Sequence, residues 1–409
     1  MRVAILTDND FGKVNGVTTT LKAVLRYAPQ DLRLRVFTAC REEADTPGYR
    51  ALPARGMPIP CYREMEVFWP GRRRLRSEVQ RFDPGVLHLT TPGPIGLAAL
   101  HIQRALQLPM VGSFHTDLAA YAHLLTGSRA AGRLMAGFLR WPYGKCAHVL
   151  APSEATRQLL LGGRRRAAES VSIWRRGVDT AAFAPAFRSE ALRASWGVTD
   201  ERPALLYVGR VSREKGLELL APLTRALTGA GHAHRLVVVG EGPYLEELRA
   251  LLPDAVFTGV LSGHALADAY ASADVFVFPS ATDTAGNVVL EAQSSGVPVL
   301  VTDKGGPQEN LEPECSGLVL PAGDVQAWIA ATGQLVREFA WRRTLGHGAR
   351  AYAERRSWQE ALAPLYGWYR LLAAQSPRVS SGDAWPTVPP HSRLQPSLAP
   401  ASWAGALRS

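Results

Sequence analysis

The sequence predicts an α/β protein built from two doubly wound domains that face each other across a cleft. Three observations predict it. Short apolar runs alternate with amphipathic stretches along most of the chain, the alternation restarts near residue 188, and 409 residues suffice for two separate cores. Strands that alternate with helices imply mainly parallel sheets covered on both faces, and open sheets of that kind bind ligands at the carboxyl ends of their strands.

The first element is VAIL, a strand run that ends in a polar loop holding Asn15 and Gly16. An amphipathic stretch from Val17 to Tyr27 completes a β-loop-α unit. RLRVFTA, GVLHLTT, PMVGSF and AHVLAPS follow as strand runs, each leading into a Gly, Pro or polar loop. After FAPAFRSE the pattern begins again with ALLYVGR, RLVVVGEG, AVFTGVL, DVFVFPS and VPVLVTD. Helical stretches such as GLELLAPLTRALTGA and PYLEELRALL separate them. The expected domains are therefore 1–187 and 188–356. SWQEALAPLYGWYRLLAA reads as a last amphipathic helix over 357–374, in spite of Pro364. Residues 375–409, rich in Pro, Ser and Ala, are expected to be disordered.

Composition narrows the class. The chain is 46% hydrophobic, yet no run approaches 18 apolar residues, and MRVAILTDND has only a four-residue apolar run before acids appear. Neither a membrane helix nor a signal peptide is supported, so a cytoplasmic protein is expected. Cys40, Cys61, Cys146 and Cys315 are far apart and form no CxxC pair, which argues for reduced, mostly buried thiols over a disulfide framework or a zinc site. Charge is one-sided: residues 1–187 hold 26 Lys and Arg against 14 Asp and Glu, whereas 188–409 hold 20 against 22. That excess points to an anionic partner for the first domain.

The stretch TDTAGNVVLEAQSSGVPVLV, residues 282–301, carries the most chemistry. VFVFPS is a buried strand, ATDTA the loop at its carboxyl end, and NVVLEAQSS a helix that starts near Gly286 and stops at Gly296. Backbone N–H groups at that helix start, with Gly286 allowing close approach, suit a phosphate. Asp283 before the helix and Glu291 inside it can accept hydrogen bonds from sugar hydroxyls. The pattern fits a sugar joined to a phosphate.

The spacing of Asp283 and Glu291 resembles the acid-x7-Glu signature of the retaining GT-B glycosyltransferases of family 4, the glycosyl transferases group 1. The likeness continues in FGKVNGVTTTL, SFHTDLAAY, VLAPSEATRQLL, RRGVDTAAFAP, VGRVSREKGLELL, VVGEGP and EAQSSGVPVLVTDKGGPQE, and spans about residues 1–372. It implies a GT-B fold of two Rossmann-like domains, the first for acceptor and the second for nucleotide sugar, with the last helix returning to the first. It implies that Arg210 and Lys215 bind the donor diphosphate, that Glu291 holds the ribose, and that Asp283, Gly286, Asn287 and Val288 hold the hexose. It places His115 beside the transferred sugar, and Gly16 and Gly240 along the donor site. Asp283 stands where the family more often has Glu, and Ala285-Gly286 where it has Phe-Gly, which bears on sugar preference. GDP-mannose and lipid mannosyl or hexosyl transfer are the favoured donor and chemistry, with UDP-hexoses as the rival donors and no cofactor or metal expected.

Weaker signals stand beside this one. Asp8-Asn9-Asp10 has the DxD form of a metal site but ends a strand, and the basic pair makes a metal redundant. GEG at 240–242 lacks the third glycine of a dinucleotide fingerprint. A glycosidase reading of the two acids would leave the cationic loop without a purpose. RRRLR at 72–76 and RRR at 164–166 lie in the acceptor half, and Phe68 and Trp69 precede Arg72, Arg73 and Arg74. Aromatic residues beside charges suit an anionic membrane surface, so a lipid or lipid-linked acceptor and peripheral attachment at the inner face of the membrane are expected. A solvated arginine face is the equal alternative, and no base-reading module for nucleic acid is evident. The rival functions are a nucleotide-sugar epimerase or phosphorylase on the same fold, and a non-catalytic sugar-nucleotide binding protein.

Overall fold

The computed structural model describes residues 1–12, 15–59, 62–162 and 168–375. Its first part runs β1 (Arg2–Leu6), α1 (Gly16–Arg26), β2 (Arg33–Cys40), β3 (Ala44–Thr46), β4 (Tyr49–Pro53), β5 (Gly56–Ile59), β6 (Tyr62–Phe68) and α2 (Arg72–Phe82). It continues through β7 (Val86–Leu89), α3 (Pro94–Leu106), β8 (Met110–Ser113), α4 (Leu118–Thr126), α5 (Arg129–Tyr143), β9 (His148–Ala151), α6 (Glu154–Leu161) and β10 (Val171–Ile173). The apolar runs of the central strands, VAIL of β1 and VLHL of β7, are buried throughout, as they must be when helices cover both faces.

These strands form one sheet in the order β10-β9-β8-β7-β1-β2-β4-β3, parallel except for the β3–β4 edge pair, while β5 and β6 make a separate antiparallel hairpin. The second part holds α7 (Glu190–Trp196), β11 (Ala204–Val208), α8 (Leu220–Gly229), β12 (Arg235–Val239), α9 (Leu245–Leu251), β13 (Val256–Gly259) and α10 (Gly263–Ala271). It is completed by β14 (Val275–Phe278), α11 (Asn287–Ser294), β15 (Val299–Thr302), β16 (Gly317–Leu320), α12 (Val325–Arg337) and α13 (Phe339–Glu354). Its sheet, β13-β12-β11-β14-β15-β16, is parallel throughout.

Each sheet reverses direction at its first strand, between β1 and β7 in one and between β11 and β14 in the other. The loops that leave those four strands flank the crevices where open sheets bind ligands.

The chain passes between the two parts earlier than the change in composition near 187 suggests. Val178 N–H donates to the Arg356 carbonyl at 2.8 Å, where the outgoing and returning strands run side by side, and Phe183 already packs on Tyr270 of the second part. Beyond this crossing, α14 (Trp358–Ala374) lies on the first sheet, with Leu362, Leu365, Tyr366 and Tyr369 in the core around β1 and β2. Tyr366 donates to the Val24 carbonyl at 2.9 Å, and Arg370 pairs with Asp31 at 2.8 Å. The tail expectation for 376–409 and the arginine run 164–166 lie outside the described residues, as does Cys61. Cys40 and Cys146 are buried thiols, but Cys315 is exposed. Among the described residues no helix is long and apolar enough to cross a membrane.

Candidate functional site

The loops after β11 and β14 meet at the second sheet's reversal. Gly216 has φ +68°, and a Cβ there would lie 2.8 Å from the Pro279 carbonyl, so glycine lets the two loops touch. Thr282 locks the contact by donating to the Glu214 carbonyl at 3.0 Å. Lys215, buried in the short turn Arg213–Lys215, donates from Nζ to both carboxylate oxygens of Asp283 at 2.9 and 2.8 Å. Burial alone would push the Lys215 pKa down, but Asp283, with smaller effects of Tyr121 and Glu214, holds it above its ordinary value.

Arg210 stands on the same loop, its carbonyl accepting from the Tyr207 hydroxyl at 2.8 Å. Its charge acts on the Tyr121 phenol together with those of Lys215, Asp283 and Glu214; burial first and these acids raise that pKa, while the two cations lower it. Tyr121 belongs to α4, so the four charged groups sit where the two parts of the molecule come together. Gly240 shapes this loop from behind: a Cβ on it would fall 1.9 Å from the Gly209 carbonyl, beside Arg210.

The helix α11 begins as expected. Gly286, its N-cap, has φ +77° and no side chain to cap the first turn. Asn287 reaches across the cleft, its Nδ2 donating to the Gly16 carbonyl at 3.4 Å and to Thr20 Oγ1 at 3.5 Å. The first turns of α1 and α11 therefore meet, and both present the positive end of a helix dipole to the same place. Val288 packs partly buried against the second core. Glu291, one turn further in, accepts from the Tyr270 hydroxyl at 2.9 Å. Burial raises its pKa to about 7, against a smaller lowering by that hydrogen bond.

His115 follows β8, and both of its ring nitrogens turn inward. A guanidinium can only donate, so Arg176 Nη2 donates to His115 Nδ1 at 3.3 Å and leaves the ring's proton on Nε2. That N–H donates to Ser113 Oγ at 2.7 Å, the Ser113 hydroxyl donates to His88 Nε2 at 2.7 Å, and His88 Nδ1 donates to the Tyr369 hydroxyl at 2.7 Å. One cation thus sets a single proton order from Arg176 to α14. Burial, then Arg176 and His88, hold the His115 pKa well below the usual imidazole value, and burial lowers that of His88 to about 3. Arg176 itself lies over the Trp174 ring at 4.4 Å and has its pKa lowered to about 9 by burial. His115 meets the cleft through its carbonyl, which accepts from the Thr284 hydroxyl at 2.7 Å. Both ring nitrogens are engaged within this chain of hydrogen bonds.

Ser113→Ala would leave Nε2 of both imidazoles without a partner, so a stability loss of about 1–3 kcal/mol is expected, read as a lowered denaturation midpoint. Ser113→Thr should recover most of it.

The expected membrane residues separate. Phe68 is buried in the first core against Gly56, so it cannot enter a lipid interface; the β5–β6 hairpin folds it inward. Trp69 is 49% exposed, Arg72 and Arg73 are exposed, and Arg74 pairs with Glu43 at 2.9 Å. Asp8 of the DxD-like run is engaged by α3, accepting from Ile95 N–H at 2.7 Å, the Thr91 hydroxyl at 2.8 Å and Gly93 N–H at 2.9 Å.

Sequence reading did not single out Tyr121, Thr284, Arg176 or Glu309. The last caps α6 across the cleft, accepting from Glu154 N–H at 2.8 Å and Ala155 N–H at 3.2 Å. For Arg176 the only signal was its place in RRGVD.

Comparison with known proteins adds an independent line. Two family descriptions match, Glycosyltransferase Family 4 over residues 14–182 and Glycosyl transferases group 1 over residues 202–338. The chain is 35% identical over 384 residues to a GDP-mannose-dependent alpha-mannosyltransferase of Mycolicibacterium smegmatis, covering 91% of this chain and 98% of the relative. It is 33% identical over 369 residues to a sulfoquinovosyl transferase of Arabidopsis thaliana, covering 88% and 71%. Among solved structures, sucrose-phosphate synthase from Thermosynechococcus elongatus superposes with a TM-score of 0.74 at 21% identity, over 92% of this chain and 99% of that one.

Proposed function

Since the chain belongs to glycosyltransferase family 4, the group 1 glycosyl transferases, and has the GT-B fold, we propose that it moves a hexose, preferably mannose, from a nucleoside diphosphate sugar to a hydroxyl of a lipid or lipid-linked glycan, with retention of anomeric configuration. One observation carries the reading: the Arg210–Lys215 loop, Asp283 and the first turns of α1 and α11 converge at the reversal point of the second sheet. The mannosyl preference rests on the relative that uses GDP-mannose.

Arg210, Lys215 and the α11 dipole stabilise charge as it develops on the departing diphosphate, and no metal is needed for that work. Asp283 and the backbone of residues 286–288 orient the hexose, while Glu291 accepts from the ribose hydroxyls. The acceptor attacks from the face the diphosphate leaves, and a departing phosphate oxygen takes its proton. His115 and Thr284, joined across the cleft, wall off the reacting sugar from water.

The test is a melting-temperature panel of GDP-mannose, UDP-glucose and UDP-galactose, followed by turnover with and without chelator. Protection by GDP-mannose above the UDP sugars and chelator-insensitive turnover are expected. Protection by none of the three would overturn the donor site, and a product that is an epimerised nucleotide sugar or a sugar 1-phosphate would favour the rival enzymes.

A further inference from the structure

The helical pair α4 and α5 carries an exposed surface that the glycosyl-transfer site does not use. Among the described residues, large apolar side chains that remain exposed are mostly scattered singly, but Leu124, Leu125, Leu134, Phe138 and Trp141 all fall on this pair. Leu134, Phe138 and Trp141 are 76%, 39% and 52% exposed. Their spacing of four and three puts them in one row along α5. The opposite side of the same helix is already satisfied, with Leu139 and Tyr143 buried in the first core. The outward row is therefore a second apolar face, one the fold itself does not require.

Charge decides what covers it. Arg129, Arg133 and Arg140 are exposed and form a second row, about 100° to 140° round the helix from the first. Lys145 follows at its end. No Asp or Glu occurs from Leu118 to Ser153, so α5 is basic along its length and α4 adds no acid to oppose it. An apolar row with tryptophan and phenylalanine, flanked by arginines on flexible stems, matches the boundary between acyl chains and anionic headgroups. A protein partner would need acids to face the arginines at fixed points, whereas a lipid surface supplies diffuse negative charge beside hydrocarbon.

The position suits a lipid-borne acceptor. α4 begins three residues after His115, and Tyr121 on its first turns lies among Lys215, Asp283 and Arg210. A surface docked on this pair lies one short helix away from the sugar site.

We infer that the outer face of α5, with the tip of α4, docks the protein on a bilayer that carries anionic lipid, and that the Trp69–Arg74 region is not that surface. The inference deepens the lipid-acceptor reading above and rests on it.

Flotation of the full chain with phosphatidylcholine vesicles, with and without phosphatidylglycerol, tests it. Binding is expected only when phosphatidylglycerol is present. Replacing Leu134, Phe138 and Trp141 together with Ser should weaken it by roughly tenfold or more. Replacing Arg129, Arg133 and Arg140 with Gln should weaken it by about a hundredfold and flatten its salt dependence. A control with Trp69→Ser, Arg72→Gln and Arg73→Gln should bind as the unaltered protein does. All the exchanged residues are exposed, so equal melting temperatures verify folding. Undiminished binding by the α5 variants, or loss in the control, overturns the inference. So does a dimer that the Leu134, Phe138 and Trp141 variant dissociates while vesicles fail to bind, which would make the face a contact between two copies. Protection by GDP-mannose is read on the same variants: its absence throughout would sink the transferase reading and leave the vesicle result standing.

Discussion

Lys215→Ala is expected to lower turnover by about a hundredfold to a thousandfold, the usual effect of removing one preorganised group that stabilises charge in a transition state. The loss should fall mainly on kcat, because negative charge on the diphosphate bridge grows as the sugar departs, and a cation worth more at that moment accelerates the step. Lys215 is held for this purpose with little freedom: its ammonium is buried, and both oxygens of Asp283 fix it. The same pair makes a structural explanation of lost activity tempting. Asp283→Asn combined with Lys215→Ala separates the two, since it removes the orphaned carboxylate and should recover stability without recovering turnover. Recovery of turnover in the double variant would reduce Lys215 to a partner for Asp283. The result should not depend on pH near neutrality. The folded Lys215 pKa lies above the ordinary 10.5, so the stabilisation is fully present below that value and is lost only as pH climbs through the raised one.

How much of this was legible in the sequence depended on whether the chemistry was local. Asp283, Gly286 and Glu291 share one loop and helix, so their relation followed from the strand-loop-helix pattern of residues 275–296 alone. The Lys215–Asp283 pair needed the adjacency of β11 and β14, which a strand pattern does not order. His88, Ser113 with His115, Arg176 and Tyr369 come from four separate stretches of the chain and could not be connected without coordinates. Phe68 was misassigned because an aromatic residue before a basic run reads alike whether its strand faces in or out; the side of the hairpin is a tertiary fact. For α5 the apolar residues fill one broad arc opposite Arg129, Arg133 and Arg140, so spacing alone did not separate the outward row of Leu134, Phe138 and Trp141 from the core positions Leu139 and Tyr143.

Nucleotide-sugar binding is expected to release a proton near neutral pH and to weaken by up to tenfold for each unit the pH falls below about 7. Glu291 sets both effects. Its pKa is raised to about 7, so close to half of the carboxyl groups are protonated there. Ribose hydroxyls that donate to it favour the ionised, acceptor-only form and pull the pKa down, which expels the proton. Calorimetric titration with GDP in two buffers of different ionisation enthalpy reads the proton directly. Glu291→Gln should abolish that release, remove the slope below pH 7 and weaken binding by roughly tenfold to a hundredfold through the lost charge-assisted hydrogen bonds. The stability of the protein without nucleotide should move the other way. The folded pKa exceeds the ordinary 4.5, so the unfolded chain loses this proton first, and stability falls as pH rises from about 4.5 to 7 by about 3 kcal/mol at most. The glutamine variant lacks that fall and should melt higher than the parent above pH 7. A variant that binds weakly yet melts higher could not be explained by damage to the fold. Unchanged proton release in Glu291→Gln would assign the ribose to another group.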